Sequence, residues 1–227
     1  MGSEPVNDAG IEFDTAGWPP LVLASGSRYR AAMLAGSGVR VSVDPPDIDE
    51  RSADGLLHDV GPDGLALELA RRKAAAVVAR HPGAWVIAAD QVGVLGQDRT
   101  GASETTVRML TKQPDVTTAS AQLMAMSGTE HRLVNGLVVL DADSGRRAEG
   151  VDVQRVRMRS FSVEEARSYV ERFEPFDCSG SYRLEDQEEM DPSQRLVTEV
   201  VGEHDSGVLG LPLPLLGRLF AELRTAH

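Results

Sequence analysis

The chain has 227 residues, enough to bury a substantial core as one large domain or two small lobes. Its 41% hydrophobic and 26% charged content is that of a soluble globular protein, and no apolar run approaches the ~20 residues of a membrane span. A formal charge of −12 argues against nucleic acid polymers as partners, so a polyanionic ligand has to be met by a local basic cluster. The single cysteine, Cys178, excludes an internal disulfide framework; it reads as a small buried apolar group and fits a reducing compartment. The acidic stretch MGSEPVNDAGIEFDTAG lacks the basic and apolar regions of a signal peptide, and Val6 breaks a myristoylation pattern. A cytoplasmic protein with no membrane partner is expected.

Residues 1–18 read as a flexible N-terminal tail. Leu21 to Ala24 predicts a short buried strand, and Tyr29 to Leu34 a helix ended near Gly36 and Gly38. The alternation of VRVSV (39–43) predicts a second strand, followed by the acidic turn DPPDIDER. From Gly64 to Arg80, apolar residues at helical spacing and abundant alanine predict a long helix. HPG (81–83) breaks it, and AWVIAAD (84–90) predicts a strand ending at Asp90-Gln91. Residues 96–112 lack periodicity and read as a surface loop. TTASAQLMAMSG (117–128) predicts a helix with a glycine stop. HRLVNGLVVLDAD and the stretch from Gly150 to Arg159 predict two strands joined by a DSG turn. SVEEARSYVERF (162–173) carries a capping box, Ser162 with Glu165, and the segment ending LPLLGRLFAEL predicts an amphipathic helix. Strands alternating with helices predict a single α/β domain over residues 19–227, and the paired strands of the second half a mixed sheet.

Polar residues gather at the predicted element ends, where α/β proteins place their sites. The juncture LASGSRYRAAML (23–34) sets two hydroxyls, a glycine and two guanidiniums where a strand passes to a helix. It reads either as a helix N-cap with solvated arginines or as an anion site on free amides and a positive dipole end. Ser25, Ser27, Arg28 and Arg30 belong to it. Asp47, Asp49 and Glu50 follow the second strand and read on their own as an acidic loop. Lys73, taken alone, reads as a solvated helix lysine. Asp90, an acid closing an apolar strand, is placed to reach a cleft, and Lys112 lies on the loop that follows. Acids, lysines and an anion-binding turn together suit metal-assisted phosphoanhydride chemistry.

In chain order come LASGSRYR (23–30), Asp49-Glu50, RRKAAAV with Lys73, and AADQV with Asp90 and Gln91. TKQPDVTTASAQLMAMSG, HRLVNG, SVEEARSYV, CSGSYRLE and GLPL (210–213) follow. In this order they resemble the Maf family of nucleoside triphosphate pyrophosphatases over residues 20 to 223. The resemblance implies the Maf-like, ITPase-like fold: a mixed twisted sheet, flanking helices and a cleft between two lobes. It implies cleavage of a nucleoside triphosphate between its α and β phosphates, giving the monophosphate and pyrophosphate. It also implies a divalent cation, Mg²⁺ or Mn²⁺, as cofactor, and a homodimer.

Carried over by position, Ser25, Arg30 and Lys73 resemble triphosphate-binding residues, with Ser27 and Arg28 in the same turn. Glu50 and Lys112 resemble polar groups of that site, and Asp90 matches the proton acceptor. Asp90 and Glu50 are then the carboxylates that hold the metal or deprotonate water, the division between them being open. Tyr29, Gln91 and Glu185 resemble the 7-methyl-GTP branch (aromatic, Gln, Glu) rather than the dTTP/UTP branch (Arg, Thr, Gln). An aromatic face attracts the cationic methylated ring, and a carboxylate accepts from the guanine N–H groups. The chain departs from the family at Arg28 and Gln113, where proline is usual, at Asn135 for threonine, and in extra residues before Lys112. These departures keep a second reading open: a catalytically weak Maf-like nucleotide-binding protein acting in cell-division regulation.

Overall fold

The apolar runs LVL and WVIAA become parallel neighbours in the computed structural model, which describes residues 11–96 and 107–225. Strand β1 (Leu21–Leu23) pairs with β3 (Trp85–Leu95) in the register Leu21 to Trp85 and Leu23 to Ile87, and with β2 (Ser42–Val43). Strand side chains alternate between faces, so a run with no polar position belongs to a sheet covered on both sides. Leu21, Leu23, Trp85, Ile87 and Ala89 pack with Leu34 of α1 (Arg28–Gly36) and with α5 (Leu213–Thr225), where Leu216 and Phe220 are fully buried. Val22, Ala24, Val86 and Ala88 instead pack with Ala70, Ala74 and Val77 of α2 (Leu57–Val78). Fully burying one such leucine or valine contributes about 1.5–3 kcal/mol, which fixes the parity of both strands.

The sheet has seven strands in the order β2-β1-β3-β5-β6-β7, with β4 (Arg108–Leu110) antiparallel on β3. β5 (Glu130–Asp141) and β6 (Arg147–Met158) are joined by a tight turn, closed by Gly145 N donating to Asp141 O at 2.9 Å. β7 (Val197–Val201) runs antiparallel to β6. Two helices complete the set. α3 (Val116–Met126) is capped by Asp115, and α4 (Val163–Phe173) begins with the expected capping box, Glu165 N donating to Ser162 Oγ at 3.2 Å. The α/β class and mixed sheet expected from the sequence are present. The chain divides into two compact units, one holding Val134–Val153 with the residues up to Gln91 and from Gly202 on, the other Val92–Leu133 and Gln154–Val201. Among the described residues no helix is long and apolar enough to cross a membrane.

Five expectations need correction. Of the supposed tail, Ile11, Phe13 and Trp18 pack against the core, with the Trp18 and Phe220 rings 4.6 Å apart; residues 1–10 lie outside the described residues. VRVSV yields only a two-residue strand, because its partner β1 is itself three residues long. α2 begins at Leu57 rather than Gly64 and breaks at Gly61 (φ 68, ψ 178), after which Pro62, with φ preset for a first turn, restarts it. β3 does not end at Asp90 but runs to Leu95. The reason is β4, which occupies part of the expected loop and pairs Gly93, Val94 and Leu95 with Leu110, Met109 and Arg108. The rest of that loop, residues 97–106, lies outside the described residues.

Candidate active site

Parity on β3 places Asp90 with Val86 and Ala88, on the face covered by α2. Lys73 lies three residues after Ala70 on the buried side of α2, and its long stem carries the ammonium to the acid. Lys73 Nζ stands 2.5 Å from Asp90 Oδ1 and 2.7 Å from Glu50 Oε1. Lys73 is 7% exposed and Asp90 6%, so the lysine is buried and paired, not solvated. Glu50 opens a 3₁₀ turn, Glu50–Leu56, and is itself exposed. One ammonium between two carboxylates leaves a local excess of negative charge, which draws in a further cation.

Arg30 answers that field. Burial holds its pKa below the usual arginine value, while Asp90 and Glu50 pull it back up. Its Nε donates to Gly210 O at 2.9 Å, and Nη1 to Ala89 O at 2.7 Å and Ser25 Oγ at 3.3 Å. Ser25 Oγ also accepts from Ser27 N at 3.2 Å, and Ser27 caps α1 by accepting from Arg30 N at 3.4 Å. Capping and the anchoring of a cation thus coexist in LASGSRYR. Arg28 and Tyr29 are exposed on the first turn, Tyr29 at 54%. Ser25, Ser27, Arg30, Glu50, Lys73 and Asp90 therefore form one connected set.

Gln91 follows Asp90 but, by the same alternation, faces the other way. Its Nε2 donates to Asn135 Oδ1 (3.1 Å), Gly207 O (3.1 Å) and Val208 O (3.0 Å). Asn135, fully buried, donates from Nδ2 to Gly207 O at 2.8 Å and to Asp152 Oδ2 at 3.0 Å. A threonine at position 135 has one hydroxyl and cannot make this bridge. Asp152 belongs to no motif of the sequence, but the pattern of β6 marks it. In β6 the buried positions Ala148, Asp152, Gln154, Val156 and Met158 alternate with exposed Arg147, Arg155 and Arg157, so two polar residues sit in core positions.

Lys112 and Glu185 belong to the second unit. Lys112 is exposed just after β4, and Glu185 opens the half-buried 3₁₀ turn Glu185–Glu189. Buried Gln122 secures the backbone beside Lys112. Its Oε1 accepts from Thr111 N and Gln113 Nε2, each at 3.1 Å, and its Nε2 donates to Thr111 O, Ser179 O and Ser181 Oγ. Gln113 restrains the turn by its own hydrogen bonds, its Nε2 donating also to Thr111 O and Thr111 Oγ1.

The mixed α/β sheet, the Ser27-capped strand-to-helix juncture that anchors Arg30 and the buried lysine–carboxylate cluster define an α/β protein with its charged groups gathered at strand ends. Within that class the chain belongs to the Maf-like protein family, whose profile matches residues 20–223. It is 34% identical over 204 residues to the 7-methyl-GTP pyrophosphatase of Nitrosococcus oceani, covering 90% of this chain and 93% of that one. It is 35% identical over 196 residues to the 7-methyl-GTP pyrophosphatase of Alkalilimnicola ehrlichii, with 86% and 88% covered. It is 36% identical over 208 residues to the dTTP/UTP pyrophosphatase of Rhodospirillum rubrum, with 91% and 89% covered.

Proposed function

We propose that this protein is a nucleoside triphosphate pyrophosphatase, converting an NTP to its monophosphate and pyrophosphate. The observation that carries the reading is the buried Lys73 between Asp90 and Glu50, with Arg30 held in the same field. Lys73 and Arg30 offset the charge of the triphosphate and of the departing pyrophosphate. Asp90, the better buried carboxylate, accepts the proton of the attacking water, and Glu50 orients that water. The family resemblance adds Lys112 as a further cation.

Among the described residues no three His, Cys, Asp or Glu side chains cluster as a protein-only metal cage. Two carboxylates nevertheless fit Mg²⁺ or Mn²⁺, because such a hard ion keeps several waters and takes substrate phosphate oxygens. Asp90 and Glu50 would hold it. When bound, it supplies charge neutralisation and a more acidic water.

For the base, the relatives carry both 7-methyl-GTP and dTTP/UTP names. Tyr29 and Glu185 favour 7-methyl-GTP, the ring by its attraction to a cationic base and the carboxylate by accepting guanine N–H groups. A cytoplasmic homodimer completes the reading. Pyrophosphate release from a panel of NTPs with Mg²⁺ or Mn²⁺ tests it. Turnover supports the enzyme; binding without turnover across the panel favours the nucleotide-binding regulator instead.

A further inference from the structure

Arg30 is held at its Nε by a single carbonyl, that of Gly210. Gly210 has φ 85, and a Cβ there would lie 3.1 Å from Arg30 Nη2, so the guanidinium rests on a residue with no side chain. What holds Gly210 is the segment that precedes it. Gly210 N donates to Gly207 O at 3.2 Å, and Gly207 O also accepts from Asn135 and Gln91. Val208 O accepts from Gln91 as well. The Gln91 amide shares two hydrogens among three acceptors, all within this network. Asn135 in turn is oriented by Asp152, whose Oδ2 accepts from Asn135 Nδ2 at 3.0 Å.

We infer that Gln91 and Asn135, backed by Asp152, are positioning residues: they hold the Gly207–Gly210 backbone so that the Gly210 carbonyl fixes the Arg30 guanidinium for the triphosphate. Gln91 then acts on phosphate affinity through Arg30, not on the choice of base. The inference rests on the reading of Arg30 as a triphosphate-binding group.

The test uses binding of inorganic tripolyphosphate, which has no base, by calorimetry on the full chain. Asn135→Ser should raise its Kd roughly 3- to 10-fold, the value of one hydrogen bond lost. Gln91→Met, at a half-buried position, should do the same even if Asn135→Ser folds poorly. Both should weaken ATP, GTP, UTP and 7-methyl-GTP by one common factor. In an Arg30→Met background Asn135→Ser should add nothing, since coupled groups are non-additive. Additive losses would reduce the network to general stabilisation and overturn the inference. So would an altered base preference with tripolyphosphate affinity unmoved, because Gln91 would then read the base itself.

If the wild-type protein binds neither tripolyphosphate nor any NTP, the triphosphate reading of the site falls. Hydrogen exchange at Arg30 Nε–H then judges the tether by itself. Slow exchange in the wild type that quickens in Asn135→Ser supports it, and equal rates overturn it.

Discussion

Lys73 Nζ and Asp90 Oδ1 approach to 2.5 Å, and neither residue is more than 7% exposed. An ion pair removed from water is costly to break one-sidedly, because the surviving charge stays buried without compensation. Lys73→Met should therefore do two things. It should lower the unfolding free energy by on the order of 3 kcal/mol, read from the urea midpoint. It should also depress kcat/KM for any NTP. A solvated lysine would show only the second effect. Asp90→Asn should cut kcat by ~100-fold or more if Asp90 receives the proton. Near-normal turnover in a folded Asp90→Asn protein would move that role to Glu50.

Gly136 on β5 lies directly against the backbone of α2. The methyl of an alanine there would sit 2.2 Å from the Ala66 carbonyl carbon and 2.3 Å from its oxygen. Both are main-chain atoms, so the helix itself has to move, and Lys73 rides on that helix. Gly136→Ala should cost about 3 kcal/mol or more, the upper range for forced overpacking. Differential scanning calorimetry checks it; an unchanged Tm would show that α2 is free to shift.

His131 and Asp44 predict two separate acid transitions. Desolvation pushes the His131 imidazole down to about 4 from 6.5, with Tyr182 Oη 2.8 Å from its Nε2. The unfolded chain takes up that proton first as pH falls. Stability is thus full above pH 6.5, is lost between 6.5 and about 4, and is level below. The whole step is on the order of 3 kcal/mol. Hydrogen bonds from Arg80 and then His81 hold Asp44 at about 2 against 3.8, so its contribution is lost only as pH falls through that lower window. Urea midpoints at pH 7.5, 5 and 3 read both. His131→Gln should flatten the upper transition and leave the lower one.

Tyr29, at 54% exposure, is available for a ligand and contributes little to packing. Tyr29→Leu should leave the unfolding free energy within the narrow range of surface substitutions, about 0.5 kcal/mol. It should reduce any preference for 7-methyl-GTP over GTP, which stacking alone would set between a few-fold and ~30-fold. Glu185→Gln should weaken both guanine nucleotides relative to UTP and dTTP. Equal kcat/KM for 7-methyl-GTP and UTP in the wild type would remove the case for this base.

Local pattern was enough for much of this protein. The period of α2, the Ser162–Glu165 capping box, the apolar runs of β1 and β3, and the motif set from LASGSRYR to GLPL were all legible, because each depends on neighbours within a few residues. Tertiary structure decided the rest. Lys73 looks solvated when read alone, yet folding sets it on the buried side of α2 and pairs it with Asp90, 17 residues on. β3 runs past Asp90 because β4, separated from it by an aperiodic stretch, supplies the missing hydrogen bonds. Gln91, adjacent to Asp90, turns to the opposite face and gives its amide to Asn135 and the Gly207–Val208 carbonyls. Burial and pairing are properties of the partner brought near by folding, and periodicity carries no information about which partner that is.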